Sequence, residues 1–233
     1  MEKTPGCIGI ILDGNRRWAK ERGLPSFEGH RQGMNNLEPI VLAARDLGIK
    51  HMVVYAFSTE NWNRSKDEVS YLMEIFEEMA RKNLARLAKE GVAVRFVGQR
   101  ERFSETLQTV MREAEAKSLP GRSGRTGLAE PKITLWICMS YGGRAEIVQA
   151  ATAAAQDGAI SEESLAAHLW TAGMPDPDII IRTGGAERLS NFLLWQSAYA
   201  ELFFIPTHWP AFTKKDLEDI LEEYAVRERR MGR

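Results

Sequence analysis

The segment Ile10-Ile11-Leu12-Asp13-Gly14-Asn15-Arg16-Arg17-Trp18 runs from an apolar, β-branched stretch straight into Asp-Gly-Asn and then into a helical segment. A strand that ends on a tight polar turn and re-enters a helix is the unit from which α/β proteins are built, and parallel strands deliver their functional groups at their carboxyl ends. Gly14 lets backbone approach a ligand closely, the N–H groups that open the helix can hold an anion, and Arg17 can add charge-assisted hydrogen bonds. Asp13 is then free to hold Mg2+. The same residues also make an ordinary Asp-Gly turn with an Asn cap, so their meaning depends on what the other strand ends carry.

Outward from this segment, short β-rich runs at residues 7–12, 51–57, 92–97, 133–139, 178–182 and 202–205 alternate with longer helical patterns. The apolar content of these runs is nearly continuous, as expected for strands of a parallel sheet covered on both faces. Helical periodicity covers 29–47, 66–90, 100–117, 144–155, 161–168 and 213–229. Thr213 with Asp216 predicts a capping box, whereas Ser164 breaks the same pattern after Ser161. Residues 119–131 are rich in Gly, Pro, Ser and Arg and read as an exposed surface loop, because a strand of the same sheet resumes at 133. The expectation is an α/β chain that forms a single domain over 1–233, with a central, mostly parallel six-stranded sheet flanked by helices.

Composition sets bounds on function. The 233 residues are 44% hydrophobic and 27% charged, enough for a sizeable core, and the net charge of -1 argues against a generic nucleic-acid binder. Arginines nevertheless gather around Arg182 and Arg188 and in a basic C-terminal tail over 227–233, where they can serve phosphates. Cys7 and Cys138 lie inside apolar runs and read as small buried hydrophobes. No apolar run approaches membrane-spanning length and the N-terminus lacks a signal-peptide pattern, so a cytoplasmic location is expected.

Two more strand ends carry chemistry. Tyr55-Ala56-Phe57-Ser58-Thr59-Glu60-Asn61-Trp62-Asn63-Arg64 packs hydroxyl, amide, carboxylate and guanidinium groups into one loop, which suits a polar rim or an Asn-rich turn before the next helix. Ile181-Arg182-Thr183-Gly184-Gly185-Ala186-Glu187-Arg188-Leu189-Ser190 sets arginines and a serine around a Gly-Gly loop whose N–H groups would be exposed as an anion cradle. Three strand ends bearing complementary Asp, Arg, Asn and Ser groups point to one shared phosphate and metal site.

At this point the chain resembles the cis-prenyltransferases, specifically those of the undecaprenyl diphosphate synthase type. The resemblance rests on the Asp-Gly-Asn start through Trp18, Gly29-His30, Tyr55 to Trp62, Tyr141-Gly142-Gly143-Arg144, Ile181 to Gly185 and Arg188 to Glu201, in order along nearly the whole chain. It implies that Asp13 coordinates Mg2+ while Gly14, Asn15, the Arg16 backbone, Arg17 and His30 hold an allylic diphosphate, with Trp18 beside them. It implies that Arg182, Arg188 and Ser190 grip isopentenyl diphosphate and that Glu201 helps to organise the metal or its neighbouring loop. Ser58, Thr59, Glu60, Asn61, Trp62 and Arg64 resemble the family's reactive rim, with Ser58 and Asn61 nearest the chemistry. The proton acceptor stays unassigned, since both are poor bases and a diphosphate oxygen is a candidate. The ending Arg230-Met231-Gly232 resembles a tail that reaches the isopentenyl site across a homodimer interface. A hydrocarbon product implies an apolar tunnel beside the sheet, walled by the 66–90 helix, Ala56, Ile133, Leu135 and Ile137, and transient contact with a membrane surface.

Three positions depart from the family pattern. Ser26 stands where relatives have an arginine that contacts the allylic diphosphate, with Arg22 and Arg31 as possible replacements. Ser140 replaces a common Asn, and bulky Trp136 replaces a common Asn near the tunnel. Ser26 and Trp136 leave open a shorter product or an irregular coupling, and a further alternative, a non-catalytic subunit that stabilises another prenyltransferase, is one that Asp13 and Arg182 argue against.

Overall fold

The segment that enters Asp13 lies at the centre of the sheet. The computed structural model describes residues 4–118 and 130–227; nearly all of the loop over 119–131 and of the tail over 227–233 falls outside them. Strands β1 (Cys7–Ile11), β2 (His51–Ser58), β3 (Val92–Val97), β4 (Ile133–Tyr141), β5 (Ile179–Arg182) and β6 (Glu201–Phe204) form one sheet in the order β3-β4-β2-β1-β5-β6. Every neighbouring pair is parallel. The chain leaves β1 toward β2 and returns later to its other flank as β5. The crevice above the carboxyl ends of β1 and β5 is therefore the topological switch point, where open α/β sheets bind ligands.

The continuous apolar runs follow from burial on both faces: β1, β4 and β5 are buried at every residue. On one face Ile8, Ile10, Val54, Leu135, Ile137 and Ile181 meet the apolar sides of α2 (Ser26–Asp46), α3 (Lys66–Lys82), α5 (Glu105–Ser118) and α8 (Lys214–Val226). On the other face Val53, Tyr55, Trp136, Cys138 and Ile180 pack with Phe192 and Leu193. The remaining helices are α1 (Asn15–Glu21), α4 (Leu84–Lys89), α6 (Gly143–Asp157) and α7 (Glu162–His168). Among the described residues no helix is long and apolar enough to cross a membrane.

Local chemistry moves several boundaries. The helix expected over 66–90 divides at Asn83 into α3 and α4. The one expected from 100 begins at Glu105, because Ser104 Oγ accepts the Leu107 N–H at 3.2 Å and caps it. Ser161 and Ser164 do form a reciprocal box, with Ser164 Oγ accepting the Ser161 N–H at 2.8 Å, so a hydroxyl replaces the expected carboxylate. A register shift between β2 and β4 near Phe57 breaks the period-two alternation. It turns Phe57 onto the same face as Val54 and brings Ser58 to the cleft.

Candidate active site

Asp13 is the residue that the fold holds most completely. Its backbone N–H donates to Thr183 Oγ1 at 3.0 Å, and its carbonyl accepts from that hydroxyl at 2.7 Å and from the Trp209 N–H at 2.9 Å. The carboxylate accepts from the Gly14 N–H at 2.6 Å and from Arg182 Nη2 at 2.8 Å, and Arg17 lies 3.2 Å away. Burial works to raise the Asp13 pKa, but the Arg182 hydrogen bond and charge, the Gly14 N–H and Arg17 outweigh it and hold the carboxyl below its ordinary value. Gly14 is required here twice over. Its φ is 101°, and a β-carbon would stand 2.5 Å from His208 Nδ1.

Arg182, only 5% exposed, bridges two strand ends. Its Nη1 donates to Ser190 Oγ and to the Arg188 carbonyl, both at 2.6 Å, while Nη2 holds Asp13. Its buried Nε has no acceptor among the described residues. The Gly-Gly loop does not offer the free donors that its sequence suggests. The Gly184 and Gly185 N–H groups donate to the carbonyls of Thr207 and Ile205, each at 2.8 Å, so the cradle is built from Arg182 and Ser190 side chains instead. The glycines serve close packing: a β-carbon on Gly184 would lie 2.6 Å from Arg17 Nη2. The Arg188 side chain is exposed, and its carbonyl is the part that Arg182 engages.

The β2 end supplies the third wall. Ser58 and Asn61 face the cleft with Arg64, and Asn61 Oδ1 accepts the Ser58 N–H at 3.0 Å. Trp62 turns inward: its ring packs on Phe57 and Phe103, and its N–H donates to Ser140 Oγ at 2.9 Å. Ser140 has φ 49°, a conformation that Asn adopts more readily. Thr59 Oγ1 donates to Glu60 at 3.0 Å, and Glu60 accepts from Asn191 Nδ2 at 2.9 Å.

Opposite these, Asn15 and His30 line the same cleft, about 170 Å³ in volume, whose apolar floor includes Leu12, Ala56 and Leu72. Asn15 Nδ2 donates to the Leu12 carbonyl at 3.0 Å, and among the described residues its buried Oδ1 and buried His30 Nε2 have no hydrogen-bond partner. Burial, reinforced by the Arg64 charge, lowers the His30 pKa. Arg16 and Arg17 are exposed at the rim. Trp18 carries the Arg22 guanidinium over its ring at 4.4 Å. Buried His30 Nε2 and Arg182 Nε, left open around one cleft beside an anchored carboxylate, are what a polyanionic ligand would satisfy.

The family match decides the class. The family model described as "Putative undecaprenyl diphosphate synthase" matches residues 11–232. The chain belongs to that prenyltransferase family. An isoprenyl transferase of Agrobacterium fabrum is 44% identical over 98% of this chain and 92% of its own length. One of Neisseria meningitidis serogroup B is 45% identical over 98% and 90%. Among solved structures, lavandulyl diphosphate synthase of Lavandula x intermedia, in complex with dimethylallyl diphosphate, superposes with TM-score 0.90 at 36% identity over 99% of both chains. A probable undecaprenyl diphosphate synthase of Campylobacter jejuni gives TM-score 0.82 at 29% identity over 99% of this chain and 100% of its own. The enzyme is a prenyl transferase.

In this prenyltransferase some expected residues are not brought to the cleft. Glu201 opens β6 in register with Ile179, whereas Arg182 is three residues further along, roughly 10 Å higher. Within one chain Glu201 pairs with Arg227 at 2.8 Å. Arg230 and Gly232 lie outside the described residues. Neither Arg22 nor Arg31, the possible replacements for the arginine missing at Ser26, lines the cleft: Arg22 stacks on Trp18 and Arg31 donates to the Tyr71 hydroxyl at 3.3 Å. Trp136 points to the sheet face opposite Leu135 and Ile137, where its N–H meets His51 Nδ1 at 3.3 Å, so its bulk does not narrow the space beside Ala56. Phe57, Phe76 and Phe103 pack edge to face there, and among the described residues no apolar tunnel extends beyond the cleft.

Residues that sequence reading did not single out brace the cleft. Thr183 fixes the Asp13 backbone. Asn191, with φ 68°, ties the Ser190 loop to Glu60 and accepts the Arg144 N–H at 2.8 Å, linking two walls of the cleft. Fully buried Glu146 anchors the segment behind it through Thr171, Gln196 and Tyr141. Asn191 and Glu146 lie within or beside the quoted motifs, but their partners are distant in sequence.

Proposed function

We propose that the chain condenses isopentenyl diphosphate with an allylic diphosphate, farnesyl or similar, and repeats the step to give a medium- or long-chain Z-polyprenyl diphosphate of the undecaprenyl type. The observation that carries this reading is the junction of Asp13, Arg182 and Ser190 at the switch point, open to a cleft with unpartnered His30 Nε2 and Arg182 Nε and an apolar floor. The relatives named isoprenyl transferases are more similar in sequence than the lavandulyl diphosphate synthase, which favours regular elongation.

The donor set fits Mg2+ that arrives with a diphosphate. Mg2+ commonly takes one or two carboxylates plus substrate phosphates and water; Asp13 is a partly exposed ionised carboxylate at the cleft, and no cluster of three potential ligands occurs among the described residues. Bound there, Mg2+ would supply charge neutralisation to the departing diphosphate. The protein's own part is positional. His30, Asn15 and the backbone after Gly14 orient the allylic diphosphate. Arg182 and Ser190 orient isopentenyl diphosphate so that its alkene faces the allylic carbon. As the allylic C–O bond breaks, the new C–C bond forms and a proton leaves the isopentenyl unit to a diphosphate oxygen, while the apolar floor excludes water from the carbocationic centre.

Incubation with Mg2+, farnesyl diphosphate and labelled isopentenyl diphosphate should give a product ladder ending at several condensations by mass analysis. A product arrested after one condensation would defeat the elongation reading. A homodimer is part of the same proposal, with Glu201 and the Arg230-Gly232 tail acting on the partner's site and product release at a membrane surface. Mixed Asp13→Ala and Arg230→Ala subunits should recover activity that each variant lacks; no recovery removes action across the interface.

A further inference from the structure

Glu68 lies on the first turn of α3, where it is the residue whose N–H Ser65 Oγ caps at 3.3 Å. A carboxylate at this position ordinarily complements the helix dipole and faces water. Here it is only 22% exposed and faces three basic side chains from three different elements. Arg64 Nη1 donates to Oε1 at 2.9 Å, His30 Nε2 stands 3.5 Å from the same oxygen without hydrogen-bond geometry, and Arg16 Nη1 is 3.8 Å from Oε2. Two of these, His30 and Arg64, line the cleft that holds Asp13 and Arg182. One carboxylate is thus shared among donors that could serve a larger anion.

We propose that Glu68 is a built-in placeholder anion, which holds Arg16, His30 and Arg64 in position while the cleft is empty and gives them up to an incoming allylic diphosphate. The inference rests on the function proposed above. Two anions cannot share these donors without repulsion, so diphosphate binding must displace the carboxylate from Arg64. The long contacts to His30 and Arg16 make that displacement easy. The Glu68 charge also draws the donors back when a diphosphate leaves, which keeps affinity low enough for turnover.

The test uses the full chain and inorganic pyrophosphate as probe, by titration calorimetry. Glu68→Gln keeps the shape and removes the competing charge; a unit charge at this range in a partly solvated site changes affinity by about tenfold or more. Glu68→Gln should therefore bind pyrophosphate about tenfold more tightly, with a lower KM for the allylic substrate and a lower kcat from slower release. Asp67→Asn, which removes an exposed charge from the same helix turn, should change neither. If Glu68 serves only α3, Glu68→Gln will bind pyrophosphate as the wild type does or more weakly, and the placeholder is overturned while the site stands. Wild-type protein that binds no pyrophosphate would overturn both.

Discussion

Asp13→Asn should lower turnover by roughly 10³-fold or more, corresponding to about 4 kcal/mol of lost transition-state stabilisation. Asn keeps the size of the side chain and an oxygen for Arg182 Nη2, but it removes the negative charge at the junction of β1 and β5. The fold should survive. The backbone of residue 13 is held by Thr183 and Trp209 independently of the carboxylate, and Arg182 keeps Ser190 and the Arg188 carbonyl. Loss of the half-buried ion pair should cost about 1–2 kcal/mol, a few degrees in Tm for a chain of this length. Steady-state kinetics beside thermal melting checks the split. Retained turnover would remove Asp13 from the chemistry, whereas a collapse of Tm would make its role structural. The sign of the pH dependence follows from the lowered pKa: stabilisation from Asp13 is complete above the unfolded value of about 3.9 and is lost as pH falls through the lower folded value. Asp13 is thus ionised across the neutral range, and an acidic limb in activity near pH 6 would belong to another group.

Glu146→Gln should produce the largest loss of stability. The carboxylate is fully buried and accepts hydrogen bonds from the Thr171 N–H at 3.0 Å, the Thr171 hydroxyl at 2.8 Å and Gln196 Nε2 at 3.0 Å, together with the Tyr141 hydroxyl. An amide would turn an NH2 group toward donors on one side or the other, leaving buried polar atoms unmatched. Breaking such a network costs about 3–5 kcal/mol, or roughly 6–20 °C in Tm. The network joins the end of β4 and α6 to the segment beyond Ser190, so the KM for isopentenyl diphosphate should rise as well. Calorimetric melting decides it. A Tm within about 2 °C of wild type would show that the network relaxes without cost.

The α/β class, the six strands and the three polar strand ends were legible because each is a local pattern. Continuous apolar runs mark strands buried on two faces, and a polar turn after each marks a carboxyl end. Asp13, Ser58, Asn61, His30, Arg182 and Ser190 were reachable in the same way, since the family motifs that contain them are contiguous. What a side chain faces was not. Alternation alone puts Trp136 on the face opposite Leu135 and Ile137, but a register shift near Phe57 overrides the alternation that would have assigned the Phe57 direction.

By itself, then, the sequence determined the sheet, the strand ends and the residues that meet there, because propensity and patterning act over a few neighbours. Tertiary structure alone decided how donors were spent. The Gly184 and Gly185 N–H groups went to Thr207 and Ile205, Arg227 went to Glu201 at the amino-terminal end of β6, and His30 and Arg16 came to Glu68 from two other helices. Hydrogen bonds and charges are settled by whatever long-range packing brings within about 3–4 Å, and chain order does not encode that distance.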